Sequence, residues 1–145
     1  MHFTPSSTLA EYNRLARETD MLYHTIALNA GLSDSAFLIF YTILELGEGC
    51  LQKDICDMHS VSKQTVHSSI RKLEQDGYLT LSQDTRREKK IFLTPEGRRL
   101  VNEKIVPVME MENEILNEMS KEDCQELLRL SQEYMERLRD KIAKL

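Results

Sequence analysis

Several residue types are scarce in this sequence of 145 residues. Tryptophan is absent, and there are only four phenylalanines, five tyrosines, five glycines and three prolines. Such a low content of turn-forming residues argues against a fold of many short strands, whereas leucine, isoleucine and methionine are plentiful. The composition therefore favours a mostly helical protein, and the length suits one domain or two closely joined lobes.

Cysteines and long apolar runs are also scarce. Cys50, Cys56 and Cys124 are odd in number and include no CxxC pair, which argues against a disulfide framework. The longest apolar stretch, residues 36–44, is shorter than the roughly 18 residues that a membrane span needs and predicts a central buried helix. With no signal peptide in the sequence, we expect a soluble, cytoplasmic protein with reduced thiols and no membrane partner.

The net charge of −5 is unevenly distributed along the chain. Residues 60–94 hold seven Lys or Arg against four Asp or Glu, whereas residues 1–59 hold three against eight and residues 95–145 hold nine against twelve. DNA affinity follows the phosphates that are neutralised at the contact face, so a local basic patch on an acidic protein can still bind a duplex. The alternative interpretation is that the positive charge of residues 60–94 belongs to an ordinary solvated surface.

Hydrophobic periodicity and turn residues predict the order of the elements. Helices are predicted at residues 8–29, 33–46, 51–58 and 62–75, strands at 78–81 and 91–93, and helices at 95–119 and 120–145. Pro107 lies inside the helix predicted at 95–119, where the missing backbone N–H should kink the helix.

The fourth helix combines a narrow apolar stripe with a polar outer face. Ser62 is a suitable N-cap, because its hydroxyl can accept a hydrogen bond from an unpaired N–H of the first turn. Val66, Ile70 and Leu73 form the stripe at about 100° per residue. The opposite side carries Gln64, Ser68, Arg71 and Gln75, with Thr65, His67 and Lys72 beside them.

A polar hairpin follows this helix, and its tip is basic. The tip and the start of the second strand carry Arg86, Arg87, Lys89 and Lys90. A polar helix beside a basic hairpin suits a DNA duplex, because the helix can enter the major groove while the tip reaches phosphates or the minor groove.

The predicted fold is mostly α with a small β-hairpin. It is a winged helix-turn-helix with additional N- and C-terminal dimerisation helices. Residues 33–94 would form the DNA-binding lobe, and residues 1–32 with 95–145 would form a helical dimerisation lobe. One small lobe cannot cover all the apolar stripes of the terminal helices, so we expect these helices to pack on a second copy of the chain. An intramolecular bundle of the termini is the alternative.

Five short motifs follow one another through the second half of the chain. They are Thr65-Val66-His67-Ser68, Leu73-Glu74, Gly77-Tyr78-Leu79, Arg86-Arg87 and Leu93-Thr94-Pro95-Glu96-Gly97. In this order and near this spacing they give the chain a resemblance, over nearly its whole length, to the MarR family of bacterial winged helix-turn-helix transcriptional regulators. Two features depart from the family pattern. Thr85 stands where Asp usually precedes the basic pair, and the segment from Leu79 to that pair is about two residues shorter.

The resemblance implies a ligand-responsive regulator, a repressor, that binds a pseudo-palindromic DNA operator as a homodimer. Base-edge contacts are expected from Gln64, Thr65, Ser68 and Arg71, backbone contacts from Ser62, Lys63 and Lys72, and either kind from His67. Either Arg86 or Arg87 would enter the minor groove, and Lys89 and Lys90 would neutralise phosphates.

Members of the family often bind small aromatic or phenolic effectors. Tyr12, His24, Phe40 and Tyr41 could line such a pocket, or they are core aromatics. His24 stands one turn after Asp20, which allows a hydrogen bond or half a metal site. No two histidines share a ligand spacing such as HxxxH, so we expect no metal and no cofactor.

Other functions remain open at this stage. One is a winged-helix protein–protein adaptor without DNA binding. Another is thiol-based redox sensing, although residues 8–29 lack the first-helix cysteine of some relatives; Cys50, beside Gly49, could be exposed, and Cys56 lies on the third helix. The sequence shows no nucleophile–base pair, phosphate loop or metal cluster, which argues against an enzyme.

Overall fold

The computed structural model describes residues 3–59, 61–83 and 88–145, without the side chain of Gln83. In chain order the elements are α1 (Ser7–Asn29), α2 (Asp34–Leu46), α3 (Gln52–His59), α4 (Lys63–Gln75), β1 (Leu79–Gln83), β2 (Lys89–Leu93), α5 (Pro95–Leu100), a π-helical turn (Val101–Ile105), α6 (Val106–Glu118) and α7 (Lys121–Ile142). The chain divides into two compact units, Met1–Val106 and Pro107–Leu145. The predicted fold class, mostly α with a small hairpin, is confirmed. The division into a DNA-binding and a dimerisation lobe concerns a dimer and stays a prediction.

Short polar side chains begin the helices where the sequence placed them. Ser33 accepts a hydrogen bond from the N–H of Ala36 at 3.2 Å, and Ser120 accepts one from the N–H of Asp123 at 3.0 Å. Such caps satisfy donors that have no partner within the helix. Because such caps depend only on neighbouring residues, the starts of these helices could be predicted from the sequence.

The core of the first unit is built around α2, as the apolar stretch predicted. Phe40, Ile39 and Ile43 on this helix are at most 2% exposed. Phe40 meets the ring of Tyr78 edge-on, with 6.1 Å between the ring centroids. Buried residues of α3, α4, the hairpin and the π-helical turn complete this core: Ile55, Val66, Ile70, Leu73, Leu79, Ile91 and Ile105.

The hairpin is antiparallel and is joined on one side by the segment before α3. Leu79 pairs with Leu93 and Gln83 with Lys89. On the other side of β2, Ile91 donates its N–H to the Cys50 carbonyl at 2.9 Å and accepts the N–H of Gly49 at 2.8 Å. Gly49 has a φ of +92°, which favours glycine, and lies against the Phe92 ring. The wing is therefore tied directly to the start of the helix-turn-helix.

Three local expectations need correction. Before Pro107 the helix changes to π geometry over Val101–Ile105, with the N–H of Val106 donating to the Val101 carbonyl, instead of continuing as one α-helix from residue 95. The kink expected at Pro107 stays a prediction. His24 pairs with Asp34, its Nδ1 lying 2.8 Å from a carboxylate oxygen, instead of Asp20. Cys50, which could have been exposed beside Gly49, is only 8% exposed, and its carbonyl pairs with β2.

The second unit contains α6 from Pro107 onward and α7. On α7 an ion-pair ladder runs along one side, where Arg129 contacts Glu126 and Glu133, and Glu133 also contacts Arg137. Cys124 donates its thiol to the carbonyl of Leu116 at 3.2 Å. The apolar side chains of both helices remain substantially exposed in the single chain.

No single helix in the described part of the chain is long and apolar enough to cross a bilayer. Taken together, α1 and α2 meet the same length and composition criteria, with a bend of 87° between them.

Candidate nucleic-acid interface

The apolar stripe of α4 fixes which side of this helix faces outward. Val66, Ile70 and Leu73 are at most 4% exposed and form the buried side. Ser69 shares a hydrogen bond of 2.7 Å with Ser35 of α2, which fixes the rotation of α4 further. The predicted contact residues lie on the exposed side: Ser62, Lys63, Gln64, Thr65, His67, Ser68, Arg71 and Lys72.

Two of these residues also build the start of α4. The Ser62 hydroxyl accepts the backbone N–H of Thr65 at 3.2 Å and lies 2.8 Å from the Thr65 hydroxyl. The predicted N-cap is confirmed, and it joins the side chains of Ser62 and Thr65. A ligand that contacts one of these hydroxyls therefore meets the other as well.

The end of α4 leads into the hairpin through a tight glycine turn. Gly77 has a φ of +84°, and the N–H of Tyr78 donates to the Leu73 carbonyl at 2.9 Å. This is the closing bond of a Schellman-type C-cap, a role that glycine fills at low cost. The position of β1 relative to α4 is thus set within four residues.

The base of the hairpin is fixed by Thr94. Its hydroxyl donates to the Gly77 carbonyl at 2.6 Å and accepts the N–H of Gly97 at 3.0 Å, while its own N–H donates to Tyr78 at 3.0 Å. A side chain at Gly97 would place its Cβ only 2.1 Å from the Tyr78 carbonyl oxygen. Helix α4, the wing and α5 therefore meet at one closely packed point.

An ion pair braces the same region from the side of α2. Arg98 on α5 donates from Nε and from a terminal nitrogen to the two carboxylate oxygens of Glu48, both at 2.8 Å. The guanidinium holds the pKa of Glu48 below its usual range. Because the arginine is half exposed, we expect only a modest contribution to the free energy of unfolding.

The wing presents two lysines at the start of β2. Lys89 and Lys90 are both exposed, and they pair across the hairpin with Gln83 and Ser82. Adjacent residues of a strand point to opposite faces, so the two side chains leave the strand on opposite faces of the hairpin. Arg86 and Arg87 lie outside the described residues, and their role stays a prediction.

An open groove of about 970 Å³ runs between α3, α4 and the hairpin. Its charged lining residues are Lys53, Lys63, Arg71 and Lys89, with Glu74 and Glu88. Lys53 was missed by sequence reasoning, although its place in the first turn of the helix before α4 was a usable signal. The groove brings cations from three elements together beside the outer face of α4.

Gln52 is a second residue that sequence reasoning missed. It lies on α3, half-buried, and its side-chain amide lies 3.3 Å from both the carbonyl oxygen of Lys63 and Nδ1 of His67. No sequence pattern relates residues that are 15 positions apart on different helices. Through this contact, Gln52 on α3 holds the side chain of His67, one of the predicted DNA-binding residues.

The four candidate effector residues do not share one surface, whereas the predicted contact residues of α4 do. Phe40 is fully buried and Tyr41 half-buried, with its ring 6.0 Å from that of Phe37, so these two are core aromatics. Tyr12 and His24 are exposed on α1. Twelve residues of α-helix separate these two by roughly 18 Å along the axis, so one small molecule cannot contact both within a subunit.

The cysteines differ in accessibility. Burial raises the pKa of the Cys50 thiol, and the negative charge of Asp54 adds to the effect. Cys56 and Cys124 are partly exposed. In the described part of the chain, no group of three or more His, Cys, Asp or Glu residues is arranged to hold a metal ion.

Comparisons with known proteins agree with this architecture. A sequence profile of the MarR family matches residues 30–88. YwoH of Bacillus subtilis (strain 168), an uncharacterized HTH-type transcriptional regulator, is 31% identical over 94 residues, which are 64% of this chain and 68% of that protein. The structure is similar to that of Staphylococcus aureus MepR in its complex with DNA, with a TM-score of 0.71, 20% identity and coverage of 94% and 99% of the two chains.

It is also similar to S. aureus MarR in complex with salicylate and kanamycin, with a TM-score of 0.68, 18% identity and coverage of 92% and 91%. The sequence matches identify the family, and the structural matches extend the same fold through α7. The chain therefore belongs to the MarR family of transcriptional regulators.

Proposed function

We propose that this protein binds a pseudo-palindromic DNA operator as a homodimer and represses transcription until a small effector releases it. In each subunit α4 would enter the major groove and the hairpin would lie against the adjacent minor groove. The two α4 helices would then read half-sites about one helical turn apart, roughly 34–36 Å.

The observation that carries this proposal is the exposed polar face of α4 beside the basic groove. Arg71 and Gln64 would contact base edges, because arginine pairs with guanine and glutamine with adenine, each for about 1–3 kcal/mol of discrimination. Ser68 and Thr65 would add shorter contacts. The lysines of this surface would hold phosphates: Lys63, Lys72, Lys89 and Lys90. The fold shared with MepR, which was solved on DNA, supports this use of the surface.

The hairpin tip would supply the minor-groove contact. Either Arg86 or Arg87 is proposed for it, because a narrow A·T minor groove concentrates negative potential. The support for this step is the basic sequence of the tip together with the described base of the hairpin, where Lys89 and Lys90 are exposed.

Homodimerisation is proposed from the apolar side chains that the single chain leaves exposed. In the first unit these lie on α1: Leu9, Leu15, Met21, Leu22 and Leu28. In the second unit they lie on α6 and α7: Met111, Ile115, Leu116, Leu127, Leu130, Leu138 and Ile142. Monomeric proteins rarely leave contiguous apolar patches of this kind in water, and a symmetric operator needs two equal subunits.

A small aromatic or phenolic effector is the proposed releasing signal. The complex of S. aureus MarR with salicylate supports this class of ligand. Tyr12 and His24 lie near opposite ends of the exposed side of α1, so each would serve a different site. Phe40 and Tyr41 would contribute only from the core side of such a pocket.

The test is a binding titration with labelled duplexes that tile the DNA upstream of the gene. We expect one tight fragment and weaker, equal binding to the others. Arg71→Ala should weaken binding to the tight fragment by roughly 5- to 150-fold, which corresponds to the loss of about 1–3 kcal/mol. Its control is Arg137→Ala, which removes the same charge from an exposed position on α7 and should leave the affinity unchanged.

The alternatives predict different results. Equal affinity for all fragments would show non-specific binding only. No binding to any duplex at low salt would favour the adaptor without DNA binding. A single-subunit mass by light scattering at the concentration of the assay would contradict the homodimer.

A further inference from the structure

The side-chain amide of Gln52 bridges two parts of α4. Its nitrogen donates to the backbone carbonyl of Lys63 at 3.3 Å, in the first turn of α4. Its oxygen lies 3.3 Å from Nδ1 of His67, one turn further along. Gln52 is half-buried on α3, so this bridge is built into the packing of α3 against α4.

These two contacts determine which nitrogen of His67 carries the proton. A backbone carbonyl only accepts, so the NH₂ end of the Gln52 amide faces Lys63 and the oxygen faces His67. An amide oxygen also only accepts, so Nδ1 of His67 must donate. When the ring is neutral, its single proton is therefore on Nδ1, and Nε2 at the outer end of the ring is an acceptor. None of the described residues hydrogen-bonds to Nε2.

We propose that Gln52 is a positioning residue for DNA recognition, which fixes the His67 ring and couples operator binding to proton uptake. The inference rests on the proposed function. A neutral ring held in this way can only accept through Nε2, whereas a protonated ring donates through it and carries a positive charge. Only the protonated ring makes an ion pair with a phosphate, so binding favours its protonation.

His67 shares its groove with charged groups of three elements. The cations are Lys53 on α3, Lys63 and Arg71 on α4 and Lys89 on the hairpin, and the anions are Glu74 on α4 and Glu88 beside the hairpin. A duplex in this groove would bring phosphates to the cations and to the ring. The direction of the coupling follows from the negative charge of the phosphate.

The coupling predicts tighter operator binding at lower pH. Imidazole is the side chain whose charge ordinarily changes between about pH 5 and 8. At constant ionic strength we expect the affinity to rise about fivefold per subunit between roughly pH 8 and pH 6, the upper range for an exposed ion pair. The salt dependence should also become steeper by about one phosphate contact per subunit at the lower pH.

Two measurements on the full chain test the inference. Long-range ¹H–¹⁵N NMR on the free protein near pH 8 should show His67 with its proton on Nδ1. In Gln52→Ala the proton should move toward Nε2. Operator titrations should then show that His67→Gln abolishes the pH effect and Gln52→Ala reduces it. The control His59→Gln removes a histidine whose Nε2 lies 2.5 Å from the Thr42 hydroxyl on α2, and it should keep the full effect.

Each result decides a separate step. A neutral His67 ring with its proton on Nε2 in the wild type would overturn the role of Gln52, independently of the operator titrations. Operator binding whose pH dependence survives in His67→Gln would overturn the coupling and leave the proposed function standing. A wild type that binds no duplex at either pH would overturn both the proposed function and the coupling.

Discussion

Replacement of Gly97 by alanine tests the point where α4, the wing and α5 meet. A Cβ at this position would lie 2.1 Å from the Tyr78 carbonyl oxygen, 3.1 Å from its carbonyl carbon and 3.4 Å from Cδ2 of Leu93. The oxygen cannot retreat freely, because it accepts the N–H of Thr94 at 3.0 Å. The substitution must therefore push α5 away from the base of the hairpin.

The cost can be estimated from this geometry. Carbon–oxygen contacts ordinarily begin at about 3.3 Å, so the two segments must separate by roughly 1 Å. Overpacking of this kind costs about 1–3 kcal/mol, and a weakened Thr94 hydrogen bond adds about 1 kcal/mol. Alanine recovers about 0.5–1 kcal/mol through its better helix propensity. We expect a net loss of about 2 kcal/mol and a fall in Tm of about 4–8 °C for a chain of this size.

The assay is thermal unfolding followed by circular dichroism, at one fixed protein concentration because the Tm of the proposed dimer would depend on concentration. The control is Glu96→Ala, the preceding residue of α5, whose side chain is exposed and contacts Arg99. Loss of that exposed ion pair should cost at most about 1 kcal/mol. A Gly97→Ala protein that is as stable as the wild type would refute the close approach.

Three further predictions concern the wing, the cap of α4 and the cysteines. Lys89→Ala should weaken binding to all duplexes by a similar factor and lower the salt slope by about one per subunit, and an unchanged slope would mean that Lys89 contacts no phosphate. Ser62→Ala should lower the free energy of unfolding by about 1 kcal/mol in urea, because the bond to the Thr65 N–H is lost, whereas Ser62→Asp should retain most of it. Iodoacetamide near neutral pH should modify Cys50 much more slowly than Cys56, since burial raises the Cys50 pKa and hides the thiol. Mass spectrometry of the peptides measures both rates, and equal rates would contradict the burial of Cys50.

The features predicted from the sequence depend on residues close to one another in the chain. Ser62 could be identified as a cap, and helix starts could be placed at residues 33 and 120, because each of these serines bonds an N–H only three residues away. The outer face of α4 could be read from Val66, Ile70 and Leu73, because a stripe at helical spacing has only one way to face the core.

Features that depend on distant residues could not be predicted in this way. The pair of Arg98 and Glu48 joins residues 50 positions apart, and Gln52 meets His67 across two helices. The sequence also gave no sign that Gly97 is needed for space, since nothing local marks the approach of Tyr78. The pairing of His24 with Asp34 could not be predicted either. Asp20 was the nearer carboxylate in sequence, but the fold brings Asp34 to the His24 ring.

The pairing of β2 with both β1 and the Gly49–Leu51 segment gives the hairpin one open edge. Ile91 directs its backbone N–H and C=O toward Cys50 and Gly49, so it is a non-hydrogen-bonded partner of Leu81 across the hairpin. The N–H of Leu81 then faces the outer edge of β1, where the described chain has no neighbouring strand. Two residues that lie directly opposite each other should thus differ in amide hydrogen exchange. We expect the Ile91 amide to exchange only when the winged helix opens and the Leu81 amide to exchange from the folded state.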